Sequence, residues 1–179
     1  MSGGVNGRAE LPLSELTPQA FATYGTVLGK PLPSAADAVA YRSATSDFWR
    51  EHLFAAGGRD PEMLWVTYRD SQAGIDRLEM HHLTEQAVIP LTGDIIQIVA
   101  TSTAAGAPDI ATIRAFRVPV GMGLCMRPGC WHATRVPAAE ATCMMLTRRT
   151  TTADLIGHLK SGAPLAESAY GDVALRLVG

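Results

Sequence analysis

The chain has 179 residues, of which 47% are hydrophobic, and a formal net charge of −2. This length and apolar content suit one folded domain and exclude a chain that is disordered throughout. The nearly balanced charge, without a basic block, gives no electrostatic reason to expect binding to nucleic acid or to an anionic membrane surface. No apolar run approaches the ~18 residues of a membrane-spanning helix.

The amino terminus has no apolar segment of the kind found in secretion signals. We expect residues 1–10 to form a flexible tail and residues 11–179 to form a single domain. The three cysteines are an odd number without a CxxC pair, which favours reduced thiols in a cytoplasmic protein. Small buried apolar side chains are the simplest interpretation of Cys125, Cys130 and Cys143.

The first element is a short predicted helix within residues 16–28. Thr17 is a preferred N-cap residue type, and Pro18 suits the first helical position. A loop follows over residues 29–38. Residues 38–60 fit a turn followed by either a strand or a helix, and both alternatives stay open.

From residue 63 to residue 149 the pattern changes to short segments of β-branched and aromatic residues, separated by Gly and Pro. Alternation at period two with turn residues between the segments predicts an antiparallel sandwich or barrel. Residues 151–162 predict a closing helix with Gly162 just past its end. The expected fold class is therefore all-β, with helices only near the ends.

The segment LEMHHLTEQAVIPLTGD, residues 78–94, contains the densest group of candidate site residues. Strand alternation places Glu79 and His81 on one face and His82 on the other. Gln86 opens the next strand and can return beside His81. His132 follows a Pro-Gly turn further along the chain. We expect Glu79, His81, Gln86 and His132 to converge in the barrel interior.

Such a cluster has two chemical interpretations. Imidazole suits nickel, zinc or iron, and the Glu and Gln side chains add oxygen ligands. A buried carboxylate needs a partner, because burying it alone is costly. A divalent metal is one such partner, which we favour, and a hydrogen-bonded polar cluster without metal is the alternative.

The two segments resemble the two motifs of the cupin superfamily. His81 and Gly93 match the first motif, in which Glu79 stands in place of the usual first histidine and Gln86 in place of the usual glutamate. His132, three residues after a glycine, matches the second motif. The leading glycine of the first motif is missing, and Pro128 and Gly129 are adjacent where the second motif separates them by one residue. More narrowly, the runs LTPQAFATYGTVL, LEMHHLTEQAVIPLTGDIIQIVA, APDIATIRAF and GCWHATRV resemble the ureidoglycolate lyase family in order from about residue 16 to about residue 149.

This resemblance implies a cupin β-barrel of the double-stranded β-helix or jelly-roll type, a homodimer and an association with nickel. It implies cleavage of ureidoglycolate, or a related ureido hydroxy acid, to glyoxylate and urea in allantoin catabolism, a part of purine nitrogen metabolism. Ala133 stands where the family usually has a second histidine, and the run TRRTTTAD replaces the family's usual segment after the last strand. Both differences bear on the identity of the substrate.

The proposed elimination needs a base for the substrate hydroxyl and an acid for the leaving nitrogen. Glu79 is the candidate base, and His81 and His132 are the candidate acids or metal ligands. A guanidinium is the natural clamp for the substrate carboxylate. Arg69 is the first choice for this role and Arg148 the second, with Gln86 as a further substrate-binding residue. Arg114 is a weaker candidate of the same kind.

Five other side chains are interpreted as structural. We expect an outward-facing His82, a solvated Glu85, and surface positions for His52 and His158. We expect Trp131 to pack in the core, because it lies on the strand face opposite His132.

Two other functions stay open. An iron-dependent dioxygenase would use Glu79, His81 and His132 as two histidines and one carboxylate. A cupin that binds a small molecule without turnover would fit the loss of the second histidine at Ala133.

Overall fold

The computed structural model describes residues 7–29 and 39–179. Two α-helices and one 3₁₀ turn are present in these ranges: α1 (Pro18–Phe21), the 3₁₀ turn (Ile110–Thr112) and α2 (Arg149–Ser161). The strands are β1 (Ala9–Ser14), β2 (Gly25–Leu28), β3 (Ala40–Arg42), β4 (Asp47–Trp49), β5 (Pro61–Tyr68), β6 (Gly74–His81), β7 (Gln86–Pro90), β8 (Ile95–Ala100), β9 (Arg114–Val118), β10 (Gly123–Met126), β11 (Trp131–Arg135), β12 (Ala141–Arg148) and β13 (Ser168–Val178).

The strands form two layers and a small hairpin. Six strands close into a barrel in the order β1-β13-β6-β11-β8-β9, and five form a sheet in the order β2-β10-β7-β12-β5. Strands β3 and β4 pair as an antiparallel hairpin. The pairings of β1 with β13 and with β9 are parallel, and the other strand pairings of the described residues are antiparallel. This is the all-β, cupin-like barrel that the sequence predicts, with helices outside its strands.

Side-chain alternation along the strands creates two separate apolar cores. One core contains side chains from all six barrel strands, including Leu11, Met80, Ile98, Ala115 and Trp131, and it fills the closed barrel. The other contains side chains from both layers, such as Val27 and Val88 of the sheet and Val99 of the barrel, and it fills the space between the layers. The barrel face that points toward the five-stranded sheet is therefore also an interior surface.

Several local predictions are confirmed. Thr17 caps α1, and its hydroxyl oxygen accepts a hydrogen bond from the Ala20 amide at 3.1 Å. Helix α2 ends at Gly162, whose φ of 71° is in the left-handed region that glycine adopts without strain. Trp131 is 2% exposed and packs in the barrel core. The three cysteines are free thiols and are buried.

The predicted limits of the barrel, residues 63–149, are too narrow. Strand β13 lies between β1 and β6, so the barrel closes only through strands near both ends of the described chain. Strand β1 begins at Ala9, two residues before the expected start of the domain. Residues 1–6 of the expected tail and residues 30–38 of the expected loop lie outside the described ranges.

The segment left open at residues 38–60 contains the β3–β4 hairpin in its described part, with the rings of Tyr41 and Phe48 stacked at 5.1 Å. Within the described ranges, no helix has the length and hydrophobicity needed to cross a membrane.

Candidate active site

A cavity of about 410 Å³ lies between the barrel and the five-stranded sheet. Barrel strands β6, β11 and β13 form one wall, and sheet strands β5, β7 and β12 form the opposite wall, with α2 at one side. The residues that line it are Leu64, Val66, Tyr68, Arg77, Leu78, Glu79, His81, Gln86, His132, Ala133, Thr134, Met145, Thr147, Thr151, Thr152, Leu155 and Tyr170. The cavity thus lies where polar side chains of the barrel face the five-stranded sheet.

Glu79, His81 and His132 meet on the barrel wall of this cavity. Glu79 Oε1 lies 3.1 Å from His81 Nε2 and 3.7 Å from His132 Nε2. The three groups come together because His132 pairs in register with Glu79 across β11 and β6, and His81 lies two residues beyond Glu79 on the same face. The expected convergence is present, but it lies between the two layers and outside the closed six-stranded barrel.

The second ring nitrogen of each histidine has its own partner. His132 Nδ1 donates to the Cys130 carbonyl at 3.1 Å, which leaves Nε2 as the nitrogen facing the cluster with its lone pair. His81 Nδ1 lies 2.9 Å from the Ser168 hydroxyl. These contacts fix both ring orientations, as outer partners do for catalytic and metal-binding histidines.

Gln86 lies beside the cluster, as its spacing predicts. Its side-chain amide nitrogen is 3.0 Å from His81 Nε2, and the residue is buried and lines the cavity. A fourth polar group therefore adjoins the carboxylate and the two imidazoles.

Burial and neighbouring charges change the proton affinities in the cluster. Burial, followed by the nearby His81, lowers the pKa of His132 to about 4, so this imidazole is neutral at neutral pH. Burial raises the pKa of Glu79, but the hydrogen bond to His81 and the electrostatic interactions with His132 and His81 outweigh this effect, so the pKa lies below its ordinary value. Burial raises the pKa of Tyr170, which interacts with Glu79. The site thus holds an ionised carboxylate beside a neutral histidine and a protonated tyrosine.

The donor set fits a divalent metal ion. One atom from each of Glu79, His81 and His132 lies within 4.8 Å of the others. Two imidazoles and one carboxylate are a common ligand set for transition metals. The His132 Nδ1 contact leaves Nε2 in the unprotonated form that a metal requires.

The expected position of Arg69 at the cavity is wrong. Its side chain is 69% exposed and forms an ion pair with Glu140 at 3.1 Å. It is absent from the cavity lining, because the inward face of β5 is occupied by Leu64, Val66 and Tyr68.

The expectation for Arg148 also needs correction. This residue is buried, but its guanidinium contacts Glu167, Thr150 and the Gly57 carbonyl outside the cavity lining. It faces away because Thr147, its neighbour on β12, faces inward. Arg114 contacts the Ala111 and Ile113 carbonyls and does not line the cavity either.

Four side chains at or beside the cavity were not predicted: Arg77, Tyr170, Thr147 and Ser168. Arg77 lines the cavity, is 60% exposed and places its guanidinium carbon 5.1 Å from the Tyr170 ring centre. The period-two alternation that places Glu79 and His81 on one strand face also places Arg77 there, so the sequence was sufficient to predict it. Tyr170 and Ser168 were missed because β13 was missed, although Val173, Leu175 and Leu177 alternate visibly in the sequence.

Among the other side chains interpreted as structural, one prediction is confirmed and others need correction. His82 is exposed and outward, as predicted. Glu85 is not a solvated turn residue, because its carboxylate accepts from the Ala55 amide at 2.7 Å and lies 3.0 Å from His52 Nε2. His52 and His158 are partly buried, and His158 donates to the Ala163 carbonyl at 2.8 Å.

Comparisons with solved structures gave remote matches. Oxalate decarboxylase from Bacillus subtilis is 12% identical, with a TM-score of 0.38, over 49% of this chain and 21% of that chain. The present chain thus spans about a fifth of the decarboxylase. RmlC from Streptococcus suis, in complex with dTDP-D-xylose, is 9% identical, with a TM-score of 0.43, over 69% and 70% of the two chains. The dTDP-4-dehydrorhamnose 3,5-epimerase from Elizabethkingia anophelis NUHP1 is 10% identical, with a TM-score of 0.41, over 69% and 73%.

A search of curated proteins found no significant match. A family model matches most of the chain, over residues 8–161, and its description is ureidoglycolate lyase. The matched range includes Glu79, His81, Gln86 and His132. The chain belongs to the ureidoglycolate lyase family.

Proposed function

We propose that the protein is a carbon–nitrogen lyase that cleaves ureidoglycolate, or a related ureido hydroxy acid, to glyoxylate and urea in allantoin catabolism. The observation that carries this proposal is the convergence of Glu79, His81 and His132 in a cavity of about 410 Å³. The family supports the reaction class. The arrangement supplies a base, a fixed pair of imidazoles and a partly closed space for a small substrate.

The reaction is an elimination in which every atom is retained. The hydroxyl of the substrate loses its proton, its C–O bond becomes the carbonyl of glyoxylate, and the C–N bond to the urea nitrogen breaks. The electron pair of that bond goes to the nitrogen, which takes up a proton and leaves as urea. A general base and a general acid are therefore needed, and each contributes on the order of 10²–10⁴ in rate.

Glu79 is the base. Its lowered pKa keeps the carboxylate ionised at neutral pH, and its neighbours hold it on the cavity wall. The proton that Glu79 takes from the hydroxyl can then pass to the leaving nitrogen. His132 is not the acid at neutral pH, because its pKa of about 4 leaves it without the proton to donate.

We also propose a divalent ion, such as nickel, that His81, His132 and one carboxylate oxygen of Glu79 would hold, with the Gln86 amide beside them. The second carboxylate oxygen of Glu79 would then remain available as the base. When bound, such an ion supplies positive charge that stabilises the developing alkoxide of the substrate. His132 Nδ1 and His81 Nδ1, through Cys130 and Ser168, hold the rings in the orientation that this role needs.

Arg77 replaces Arg69 as the proposed partner of the substrate carboxylate. It lines the cavity in the same inward-facing series as Glu79, and its distance of 3.7 Å to the exposed Asp172 leaves only a weak competing ion pair. Thr147 is a second binding group, because its hydroxyl is buried, lines the cavity and has no hydrogen-bond partner among the described residues. A substrate carbonyl would satisfy that hydroxyl.

We propose a homodimer as the functional assembly. Strand β5 is the edge of the five-stranded sheet, and its outward side chains Met63 and Trp65 are 63% and 70% exposed. A second copy that covers this apolar edge would remove both the exposed side chains and the unpaired strand edge from water.

A second candidate is supported by one observation. Two histidines and one carboxylate are also the ligands of non-haem iron oxygenases. Oxygen uptake after addition of ferrous iron, in the presence of a hydroxy acid, would favour this function over the lyase.

The proposal is tested by comparing Glu79→Gln with a matched control, Glu140→Gln, in an assay that measures both glyoxylate and urea from ureidoglycolate. Glu140 is an exposed carboxylate on the surface. We expect Glu79→Gln to lose at least a factor of about 10² in kcat, and the control to retain wild-type activity. Equal activity of the two variants would remove Glu79 from the mechanism.

A further inference from the structure

Part of the cavity wall is apolar, although ureidoglycolate is small and polar throughout. Four aliphatic or thioether side chains from the five-stranded sheet and α2 form this part of the wall: Leu64, Val66, Met145 and Leu155. Such a surface does not satisfy the donors and acceptors of a ureido group, which lose their hydrogen bonds to water on entering it. It gains free energy when it covers hydrocarbon.

The charged groups are confined to one side of the cavity. Among the residues within 7–29 and 39–179, the charged side chains that line it are Arg77 and Glu79, two residues apart on β6. The opposite wall presents Leu64 and Val66 from β5 and Met145 from β12, beside the uncharged polar side chains of Gln86 and Thr147. A ligand that matches this distribution has a carboxylate and a carbinol at one end and an apolar group at the other.

The size of the cavity points the same way. A volume of about 410 Å³ lies in the range of roughly 300–1,000 Å³ that encloses drug-sized ligands. Ureidoglycolate, with about nine non-hydrogen atoms, is well below that size. The part of the cavity that ureidoglycolate would not fill is bordered by the apolar part of the wall.

We propose that the cavity accepts N-acyl-α-hydroxyglycines whose acyl group carries a hydrocarbon chain or an aromatic ring, and that the protein cleaves them to glyoxylate and the primary amide. This inference rests on the proposed function, since the bond broken is the same. The hydroxyl proton leaves, the carbinol carbon becomes the aldehyde carbon of glyoxylate, the C–N bond breaks, and the amide nitrogen takes up the proton. No oxidant or reductant is required.

The geometry assigns each part of such a substrate to a wall. The carboxylate lies toward Arg77, the carbinol toward Glu79, and the acyl chain against Leu64, Val66 and Met145. Each methylene that moves from water to the apolar wall multiplies the binding constant or kcat/KM by roughly four at most. Four additional methylenes therefore correspond to an increase on the order of 10²-fold.

The test compares glyoxylate release from ureidoglycolate with release from N-acetyl-, N-hexanoyl- and N-benzoyl-α-hydroxyglycine. We expect kcat/KM for the hexanoyl compound to exceed that for the acetyl compound by at least tenfold, and to exceed that for ureidoglycolate. If ureidoglycolate is cleaved and the acyl chain changes kcat/KM by less than twofold, the inference is overturned while the proposed function stands.

Binding of the unreactive products separates the remaining outcomes. Calorimetric titration with hexanamide, acetamide and urea reports on the apolar wall without any turnover. Tighter binding of hexanamide, with no glyoxylate from any substrate, would support the apolar subsite and refute the proposed reaction. Equal, undetectable binding of all three would overturn the inference.

A nearly isosteric substitution tests whether the acyl chain lies against the wall that contains Val66. Val66→Thr places a hydroxyl on the apolar wall, and we expect it to lower the ratio of hexanoyl to acetyl kcat/KM severalfold. Val120→Thr is the matched control, because Val120 is 50% exposed and does not line the cavity. An unchanged ratio in Val66→Thr would place the acyl chain elsewhere and contradict the assignment.

Discussion

At the scale of single residues, Glu79 depends on its neighbours for its chemistry. Burial alone would favour its protonated form, but the hydrogen bond to His81 and the nearby imidazoles hold the pKa below its ordinary value. Strand alternation in the sequence predicts the shared face of Glu79 and His81, and the resemblance to the second cupin motif indicates that His132 joins them. The missing information was the pairing of β6 with β13, which brings Ser168 to His81 and Tyr170 to Glu79.

The arginine assignments show where sequence reasoning fails. Arg69 lies at the end of a strand that borders the cavity, yet its guanidinium pairs with Glu140 on the surface. The position along a strand fixes which face a side chain takes only when the register and the last paired residue are known. Arg77, by contrast, is two residues from Glu79 on β6, and period-two alternation alone places both side chains on one face.

We predict that Arg77→Ala raises KM for ureidoglycolate by roughly tenfold or more, since it removes a charge-assisted hydrogen bond of ~1.5–3 kcal/mol to the carboxylate. Arg69→Ala is the matched control and should leave KM unchanged, because this side chain does not reach the cavity. Steady-state kinetics on both variants decide the matter, and the reverse pattern would restore Arg69 as the carboxylate-binding residue.

Acid should destabilise the protein through His132. Its pKa is about 4 when folded, against an ordinary value of 6.5, so the unfolded chain binds more protons between these values. Stability is therefore complete above about pH 6.5 and falls as the pH decreases toward 4. The loss by pH 5 is about 2 kcal/mol for this group.

Urea unfolding of chelator-treated protein at pH 7 and pH 5 measures this contribution. Wild type should lose about 2 kcal/mol more than His132→Gln, which carries no titrating ring. An equal loss in both proteins would show that His132 does not titrate differently in the folded and unfolded states.

At the scale of elements, β13 is the strand on which barrel closure depends. It pairs with β1 on one side and β6 on the other, and it lies beyond residue 161, where the family match ends. The strands between residues 63 and 149 were predictable from period-two patterns and turn residues. The strand β13 and its register shift near residues 172–175 depend on long-range pairing that no local pattern specifies.

A substitution within β13 tests its packing. A methyl group added at Gly171 would lie 2.5 Å from two ring carbons of Pro108 and 3.1 Å from Trp131. We predict that Gly171→Ala lowers the free energy of unfolding by roughly 1–3 kcal/mol.

Gly157→Ala is the matched control, because Gly157 lies within α2 and an added methyl group meets nothing within 4 Å. This change should stabilise the protein by about 0.5–1 kcal/mol. Thermal and urea unfolding of the two variants measure both effects, and a neutral Gly171→Ala would show that β13 is loosely packed.

At the scale of the whole molecule, the proposed dimer gives a direct prediction. Trp65→Glu places a charge on the exposed edge strand β5 without changing its inward face. We expect wild type to be dimeric and this variant to be monomeric in light scattering at micromolar concentration. His82→Glu, at an exposed position outside this edge, is the control and should remain dimeric. A monomeric wild type would contradict the proposed assembly.

The central claim is that the Glu79, His81 and His132 cluster releases glyoxylate from a ureido hydroxy acid. The most direct measurement is glyoxylate and urea release from each enantiomer of ureidoglycolate by wild type and by His132→Ala, with the metal content of both proteins determined by elemental analysis. We expect equimolar glyoxylate and urea from one enantiomer with wild type, and a loss of at least ~10-fold in both rate and bound metal in the folded variant, because a proposed metal ligand is removed. Wild type that carries a divalent metal yet releases glyoxylate from neither enantiomer would contradict the central claim.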